Sequence, residues 1–301
     1  MFTDKAAMFL YGVSPIHMGA GTALGAIDNP IQRERHTGHP MLAGSGLKGA
    51  LRHEANRRKL GGPLIRAVFG PETSESSEQA GALSVADAQL VLFPVRSLRE
   101  SYVYATCPTA LRRLGRLLDL ADAPVEGLRR VGTPGPDEAL CSNDGLLVDG
   151  KLVLEAYAFT SNRDEALGTV SDWIATHALA RDGMQYFQDK VRKDLVVLHD
   201  DRFNYFVRNA TVVEPHVRIN DDTGTADDGG LFYTENVPPE ALFVSLVMAS
   251  DERTKEPELK ARDILSVLTN DLGTRMVQVG GDATTGRGQM VLSFVRGEVQ
   301  P

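Results

Sequence analysis

Apolar runs of strand length and apolar positions at helical spacing alternate along the chain. Residues 6–13 form the first uninterrupted apolar run, which predicts a buried strand. Over residues 45–60 the pattern turns helical, with Leu47, Leu51 and Ala55 on one face and Lys48, Arg52 and Lys59 on another. Ser45 suits the N-cap of this helix, and Gly61-Gly62-Pro63 its end. Residues 82–93 have β character and are expected to pair beside the first strand. Residues 108–120 begin with proline and carry Leu111, Leu114, Leu117 and Leu118 at helical spacing. A strand is expected at 152–159, a helix at 164–179 with Trp173 in its apolar face, and a short helix at 184–191. Residues 71–79 (Ser/Glu-rich) and 121–143 (Pro/Gly-rich) read as irregular.

Two β-prone arms, 210–219 and 231–235, flank a polar tip rich in Asp and Gly, the pattern of a hairpin. An apolar strand at 241–249 and a helix at 258–272 follow, the helix burying Ile264, Leu265, Leu268 and Leu272. Closing strands at 276–279 and 289–295 enclose a glycine-rich loop. Strand–helix–strand, long insertions and strand–helix–strand again make an α+β chain.

Composition bounds the class. At 301 residues the chain can build one large domain, and its 42% apolar and 24% charged residues are ordinary for a globular protein. Cys107 and Cys141 show no zinc spacing, so two inert thiols in a reducing cytoplasm are expected. No apolar run reaches the roughly 18 residues of a membrane span, so no membrane partner is expected. The net charge of −8 argues against a wholly basic nucleic-acid binder. The charge is uneven, however: from Ile31 to Arg66 eight Lys and Arg face two acids, while Asp221, Asp222, Asp227 and Asp228 crowd the hairpin tip. A basic track on an acidic body suits a protein that grips one polyanion.

Candidate chemistry gathers in the long polar loop between the first strand and the first helix, a length that is usually functional in a compact domain. Asp28 stands alone there, followed by Asn29-Pro30. A single carboxylate can hold a divalent cation or take a proton from a ribose 2′-hydroxyl; it can equally close an Asx turn. His17 lies eleven residues earlier and could act as acid, orient a phosphate, or merely bond the loop backbone. Lys48, at a helix start that favours anions, joins Arg52, Arg33 and Arg35 as a phosphate-binding set or as a solvated face. Gly280-Gly281 and Gly286-Arg287-Gly288 could bring backbone N–H groups close to phosphates, or form a tight turn. No Walker lysine follows, which argues against nucleotide hydrolysis.

Several stretches together carry a resemblance. They are Ser14-Pro15-Ile16-His17-Met18-Gly19, Asp28-Asn29-Pro30-Ile31-Gln32-Arg33-Glu34-Arg35, Gly46-Leu47-Lys48-Gly49-Ala50-Leu51-Arg52, Gly229-Gly230-Leu231-Phe232-Tyr233-Thr234-Glu235 and the glycine loop from Gln278 to Gly288. In this order they resemble the RAMP superfamily of RNA-binding proteins, and within it the backbone subunit of the type III-B CRISPR effector, the Cmr complex. The resemblance implies a single domain over 1–301. Its core would be ferredoxin-like (RRM-like), at about 1–95 and 240–301, with a helical and irregular insertion at 96–207 and a projecting β-hairpin thumb at 208–236.

It further implies a filament subunit that binds guide RNA and cuts target RNA at regular intervals with Asp28. His17, Tyr233 and Glu235 would share the cleft, and Arg33, Arg35, Lys48, Arg52 and the two glycine clusters would hold RNA. A divalent metal, Mg²⁺, would sit at Asp28. Partners would be guide RNA, single-stranded target RNA, further copies head to tail and other Cmr subunits. The alternatives are a guide-binding scaffold that does not cut, and an unrelated small-molecule enzyme using Asp28 and His17.

Overall fold

Strand β1 (Asp4–Gly12) is the spine of the molecule, and its sequence is apolar at nearly every step because both of its faces are covered. Ala6, Met8 and Leu10 enter one core, while Ala7, Phe9 and Tyr11 enter a second on the opposite side. The structure is a computed structural model describing all residues except 24, 72–79, 255, 274 and 298–301. The loop expected at 71–79 therefore lies, Pro71 apart, outside the described residues.

After β1 come β2 (Met41–Leu42), α1 (Gly44–Arg57), α2 (Gly62–Phe69), β3 (Leu83–Val85), β4 (Ala88–Arg96) and β5 (Tyr102–Thr106). Next are α3 (Pro108–Leu120), α4 (Gly127–Arg130), β6 (Glu138–Cys141), β7 (Leu147–Val148), β8 (Lys151–Leu154) and β9 (Tyr157–Arg163). Then follow α5 (Glu165–Ala178), α6 (Gln185–Asp194), β10 (Leu195–Leu198), α7 (Asp200–Asn209), β11 (Val212–Ile219) and β12 (Ala226–Asn236). The described chain closes with β13 (Leu242–Ala249), α8 (Ala261–Ser266, continued by a π-helical turn at Val267–Leu272), β14 (Met276–Gln278) and β15 (Gln289–Val295).

One mixed sheet runs through the molecule in the order β14-β15-β1-β13-β4-β5-β10-β6-β9-β8-β7, with β2 and β3 paired at its margin. β1 is antiparallel to both neighbours, Phe9 standing opposite Val244 of β13 and Ser293 of β15. Parallel pairing occurs at β5–β10 and β6–β9. Helices α1, α7 and α8 pack on the first core and α3, α5 and α6 on the second, so the sheet is sandwiched between helices. β11 and β12 form a separate two-stranded hairpin.

Where the pattern was strong, the elements match it. The helix α3 has the bounds that proline and leucine spacing predict, and Asp164 caps α5 by accepting from Leu167 N–H at 3.1 Å. Several expectations need correction. Ser45 is not a cap: the N-cap is Ala43, and Asp87 reaches in from the β3–β4 turn to accept the Gly44 N–H at 2.7 Å. Gly44 permits this approach, since a Cβ there would lie 2.3 Å from the Val85 carbonyl oxygen. α1 ends earlier, where Lys59 takes a left-handed φ of 59° and Leu60 N–H bonds the Ala55 carbonyl; Pro63 opens α2 instead of closing α1.

The run 82–93 splits into β3 and β4, and both pair with β13, which separates them from β1. Residues 152–159 turn over at Glu155 (φ 50°) into two strands, β8 and β9. Within 121–143 the structure places α4 and β6, and the segment 96–207 contributes β5 through β10 to the sheet. No described helix is long and apolar enough to cross a membrane.

Candidate functional site

The outer edge of β12 is the bench on which the polar loop is assembled. The segment after Asp28 runs parallel to it: Asn29 N–H donates to the Tyr233 carbonyl at 3.0 Å and Glu235 N–H donates to the Asn29 carbonyl at 3.0 Å. Asp28 Oδ2 accepts the Tyr233 N–H at 2.7 Å, and Oδ1 has no partner among the described residues. The side chain is half-buried at the rim. His17 attaches two residues further along, its Nδ1 2.7 Å from the Glu235 carbonyl oxygen. That carbonyl can only accept, so the ring proton sits on Nδ1, and Nε2 is the atom left to accept or deliver a proton. The two side chains therefore attach to the same edge of β12 two residues apart, about 7 Å along the strand.

Glu235 is buried, and its carboxylate is fully occupied. It accepts from Arg33 Nη2 at 2.5 Å, Thr211 Oγ1 at 2.9 Å and Ile31 N–H at 3.1 Å. Arg33 also donates to the carbonyls of Gly38 (2.9 Å) and Val207 (2.8 Å). The pair therefore ties the loop, the end of α7 and β12 together. Tyr233 presents its backbone to the loop and its side chain to the exposed apolar face of the hairpin beside Leu231 and Pro215.

The other expected RNA contacts are distributed unevenly. Arg35 is exposed and has no partner among the described residues. Lys48 Nζ donates to the Leu83 carbonyl at 2.8 Å and Arg52 to the Pro71 carbonyl at 2.9 Å, and neither is paired with an acid among the described residues. Burial lowers the Lys48 pKa, and the charges of Arg253 and Arg52 lower it further. Three cations thus share one field, an attraction for a polyanion. Gly281 N–H donates to the His17 carbonyl and Gly288 N–H to the Pro15 carbonyl, both at 2.8 Å, while Gly286 N–H closes on Ala283. These amides hold the His17 segment and are not free to cradle a phosphate. Gly280 (φ 83°) and Gly288 (φ 73°) allow that contact, since a Cβ would come within 2.3 Å of the His17 oxygen and 2.0 Å of the Val279 oxygen. Arg287 is bound to Glu214 of the hairpin at 2.5 Å.

Among the described residues no group of three or more His, Cys, Asp or Glu could hold a metal ion. A metal centre held by protein ligands alone does not fit. Cys107 and Cys141 are buried and unpaired, and burial raises both thiols, Cys141 to about 11.

Between His17 and the inner face of the hairpin lies a cleft of about 420 Å³, lined among others by Asn29, His216, Phe232, Thr234 and Asn236. Asn236 and His216 carried no signal in the sequence. The period-two alternation of β12 places 232, 234 and 236 on this face, yet only the pairing with β11 shows which side the loop covers. Arg253 was missed because it reaches Lys48 across about 200 positions of sequence.

The RAMP superfamily model matches residues 9–291. The chain belongs to the RAMP superfamily. The Cmr endoribonuclease Cmr4 of a CRISPR system in Pyrococcus furiosus is 36% identical over 283 residues, covering 93% of this chain and 92% of the relative. The Cmr4 subunit of the CMR system in Saccharolobus solfataricus is 25% identical over 322 residues, covering 98% and 97%. The crystal structure of oligomeric Cmr4 from P. furiosus superposes with a TM-score of 0.74 at 29% identity, covering 99% of this chain and all of that one. Membership is thus carried by sequence and by fold over nearly the whole RAMP chain.

Proposed function

We propose that this chain is an RNA-cutting filament subunit of a type III-B CRISPR effector, binding guide RNA and cleaving the paired target RNA. Supporting it are the P. furiosus relative named as a Cmr endoribonuclease and the solved structure of an oligomer of such a protein. The partners are guide RNA, single-stranded target RNA, further copies head to tail and the other subunits of the Cmr complex. The core is ferredoxin-like: β1–α1–β4 and β13–α8–β15 are two strand–helix–strand units lying in the order β15-β1-β13-β4, and the hairpin β11–β12 is the projecting thumb. The single observation carrying the catalytic part is that Asp28 and His17 share the edge of β12, each held by one backbone bond and each with one reactive atom free.

The reaction is backbone cleavage by the ribose 2′-hydroxyl. Asp28 Oδ1 takes the 2′-hydroxyl proton, the oxygen attacks phosphorus, the P–O5′ bond breaks, and His17, entering as the imidazolium with Nδ1–H on the Glu235 carbonyl, gives its Nε2 proton to the departing 5′ oxygen and is left neutral. In-line attack requires a nucleotide released from A-form stacking, so the hairpin beside the cleft is the wedge that frees it. A divalent cation such as Mg²⁺ would be held by Asp28 with an RNA phosphate and would neutralise charge there. Lys48, Arg52 and Arg35 hold guide phosphates by charge; Arg33, Glu235 and the glycine loop fix the geometry. Target sequence is read by guide pairing while the protein holds backbone.

The second reading is a guide-holding scaffold with cutting supplied by another subunit. The Tyr233 N–H bond to Asp28 favours it, because that bond alone would justify an aspartate as a loop pin. Product chemistry tests the mechanism. Target cut by the assembled complex should end in 2′,3′-cyclic phosphate and 5′-hydroxyl, and a 2′-deoxy nucleotide at the cut position should abolish cutting there. Products ending in 3′-hydroxyl and 5′-phosphate, or undiminished cutting of the deoxy target, would overturn it.

A further inference from the structure

The inner face of the hairpin base contains a polar group the protein leaves unanswered. Asn236 is 1% exposed, and neither its amide nitrogen nor its amide oxygen has a hydrogen-bond partner among the described residues. Buried amides are almost always satisfied, so an orphan with both atoms bare marks a place for a ligand. Asn236 lines the cleft described above, where His216 and Phe232 form one wall as a stacked pair, ring centroids 5.1 Å apart at 19°.

We infer that this cleft is a nucleobase subsite that receives the base of the nucleotide beside the scissile linkage; the inference rests on the RNA-cutting reading of Asp28. Three features choose the ligand. The wall is flat and aromatic, which suits a planar heterocycle. The free amide offers adjacent donor and acceptor, the pattern on the edge of every base. The arginine in the lining, Arg287, is already neutralised by Glu214, which disfavours a phosphate as the occupant. Its volume of about 420 Å³ lies in the range of small-molecule sites. Asn29 also lines it, and Asp28, held on the Tyr233 N–H of the same strand edge, is the residue before Asn29.

The amide carries a corollary about specificity. No hydrogen bond among the described residues fixes the order of its donor and acceptor, so either order can face the edge of a base. The subsite holds a base without reading its identity, as an enzyme whose target is chosen by guide pairing requires.

The test uses the assembled complex with guide and targets carrying A, C, G, U or an abasic ribose at the cut position, measuring single-turnover cleavage and target affinity. The four bases should be cut within about threefold of one another and the abasic target about tenfold more slowly. Asn236→Leu should bring base-containing targets down to the abasic rate and leave the abasic rate unchanged. The isolated Asn236→Leu chain should melt no lower than wild type, since no bond within the protein is lost. Equal wild-type rates on abasic and base-containing targets would overturn the subsite. So would an Asn236→Leu variant that slows both targets alike, melts lower, or fails to assemble, the last marking a protein contact. Wild-type complex that binds target but cuts none would sink the catalytic reading instead; the affinity difference between base and abasic targets would then still decide the subsite.

Discussion

Replacing Glu235 by alanine separates two roles for a carboxylate that stands within reach of the cleft. The structure makes it the knot of the loop, through Arg33, Thr211 and Ile31 N–H. Its loss strands the Ile31 N–H in a site 3% exposed, which costs about 1–3 kcal/mol. Arg33 loses its counter-charge but keeps two carbonyls; because its side chain is 22% exposed, the penalty for breaking a buried pair drops from about 3–5 kcal/mol to about 1–2. The total is about 2–5 kcal/mol, a fall of about 3–8 °C in the melting temperature of a chain this size. Thermal unfolding of the isolated chain measures it. Adding Arg33→Ala should cost less than the sum of the two changes, with a coupling of about 1–2 kcal/mol. A Glu235→Ala chain that melts with wild type and has lost only cleavage would show a reacting group instead, and strictly additive changes would refute the knot.

Further outcomes follow from the same geometry. Gly280→Ala and Gly288→Ala, each adding a Cβ at positive φ within 2.3 Å and 2.0 Å of a backbone oxygen, should each lower stability by about 1–3 kcal/mol by denaturant titration, whereas Gly286→Ala, with open space around it, should cost less. Lys48→Ala with Arg52→Ala should weaken RNA retention and reduce the slope of log affinity against log salt by about 1–2, measured by filter binding. Glu240 is half-buried beside Tyr11, and that burial raises its pKa, so the folded state binds that proton more tightly than the unfolded one. Stability therefore falls as pH rises through the raised value, and Glu240→Gln should flatten that fall in melting curves taken from acid to neutral pH.

The parts of the fold written in the sequence are those where one periodicity holds for three turns or more. The leucine spacing of α3, and the Ile264–Leu265–Leu268 stripe continued by the π-helical turn, declare a buried face without help from the rest of the chain. β1 and β13 declare themselves because apolar residues at successive positions have nowhere to go but two cores. What stayed hidden depends on distant partners. β10 is four residues long and follows α6 without a break, so only its place between β5 and β6 makes it a strand. The α1 cap could not be read from Ser45 because the acceptor is Asp87, on another element.

The site divides the same way. Asp28 and His17 could be singled out as reactive types in a long loop, but their common support on β12 joins positions more than 200 apart. Arg33 looked like its neighbour Arg35, and only Glu235 separates the structural cation from the exposed one. The glycine loop was expected to bring its N–H groups to RNA phosphates or to form a tight turn, whereas Gly281 and Gly288 donate to residues 15–17 of the chain itself.

Asp28 as the cutting carboxylate is the claim on which the functional account turns, and single-turnover cleavage by reconstituted complexes tests it most directly. Asparagine at position 28 keeps an oxygen to accept the Tyr233 N–H, so the loop stays in place while the base is lost. The account predicts target cutting at least about a hundredfold slower with guide and target affinity unchanged. Cutting at the wild-type rate by an Asp28→Asn complex that binds target normally would contradict it.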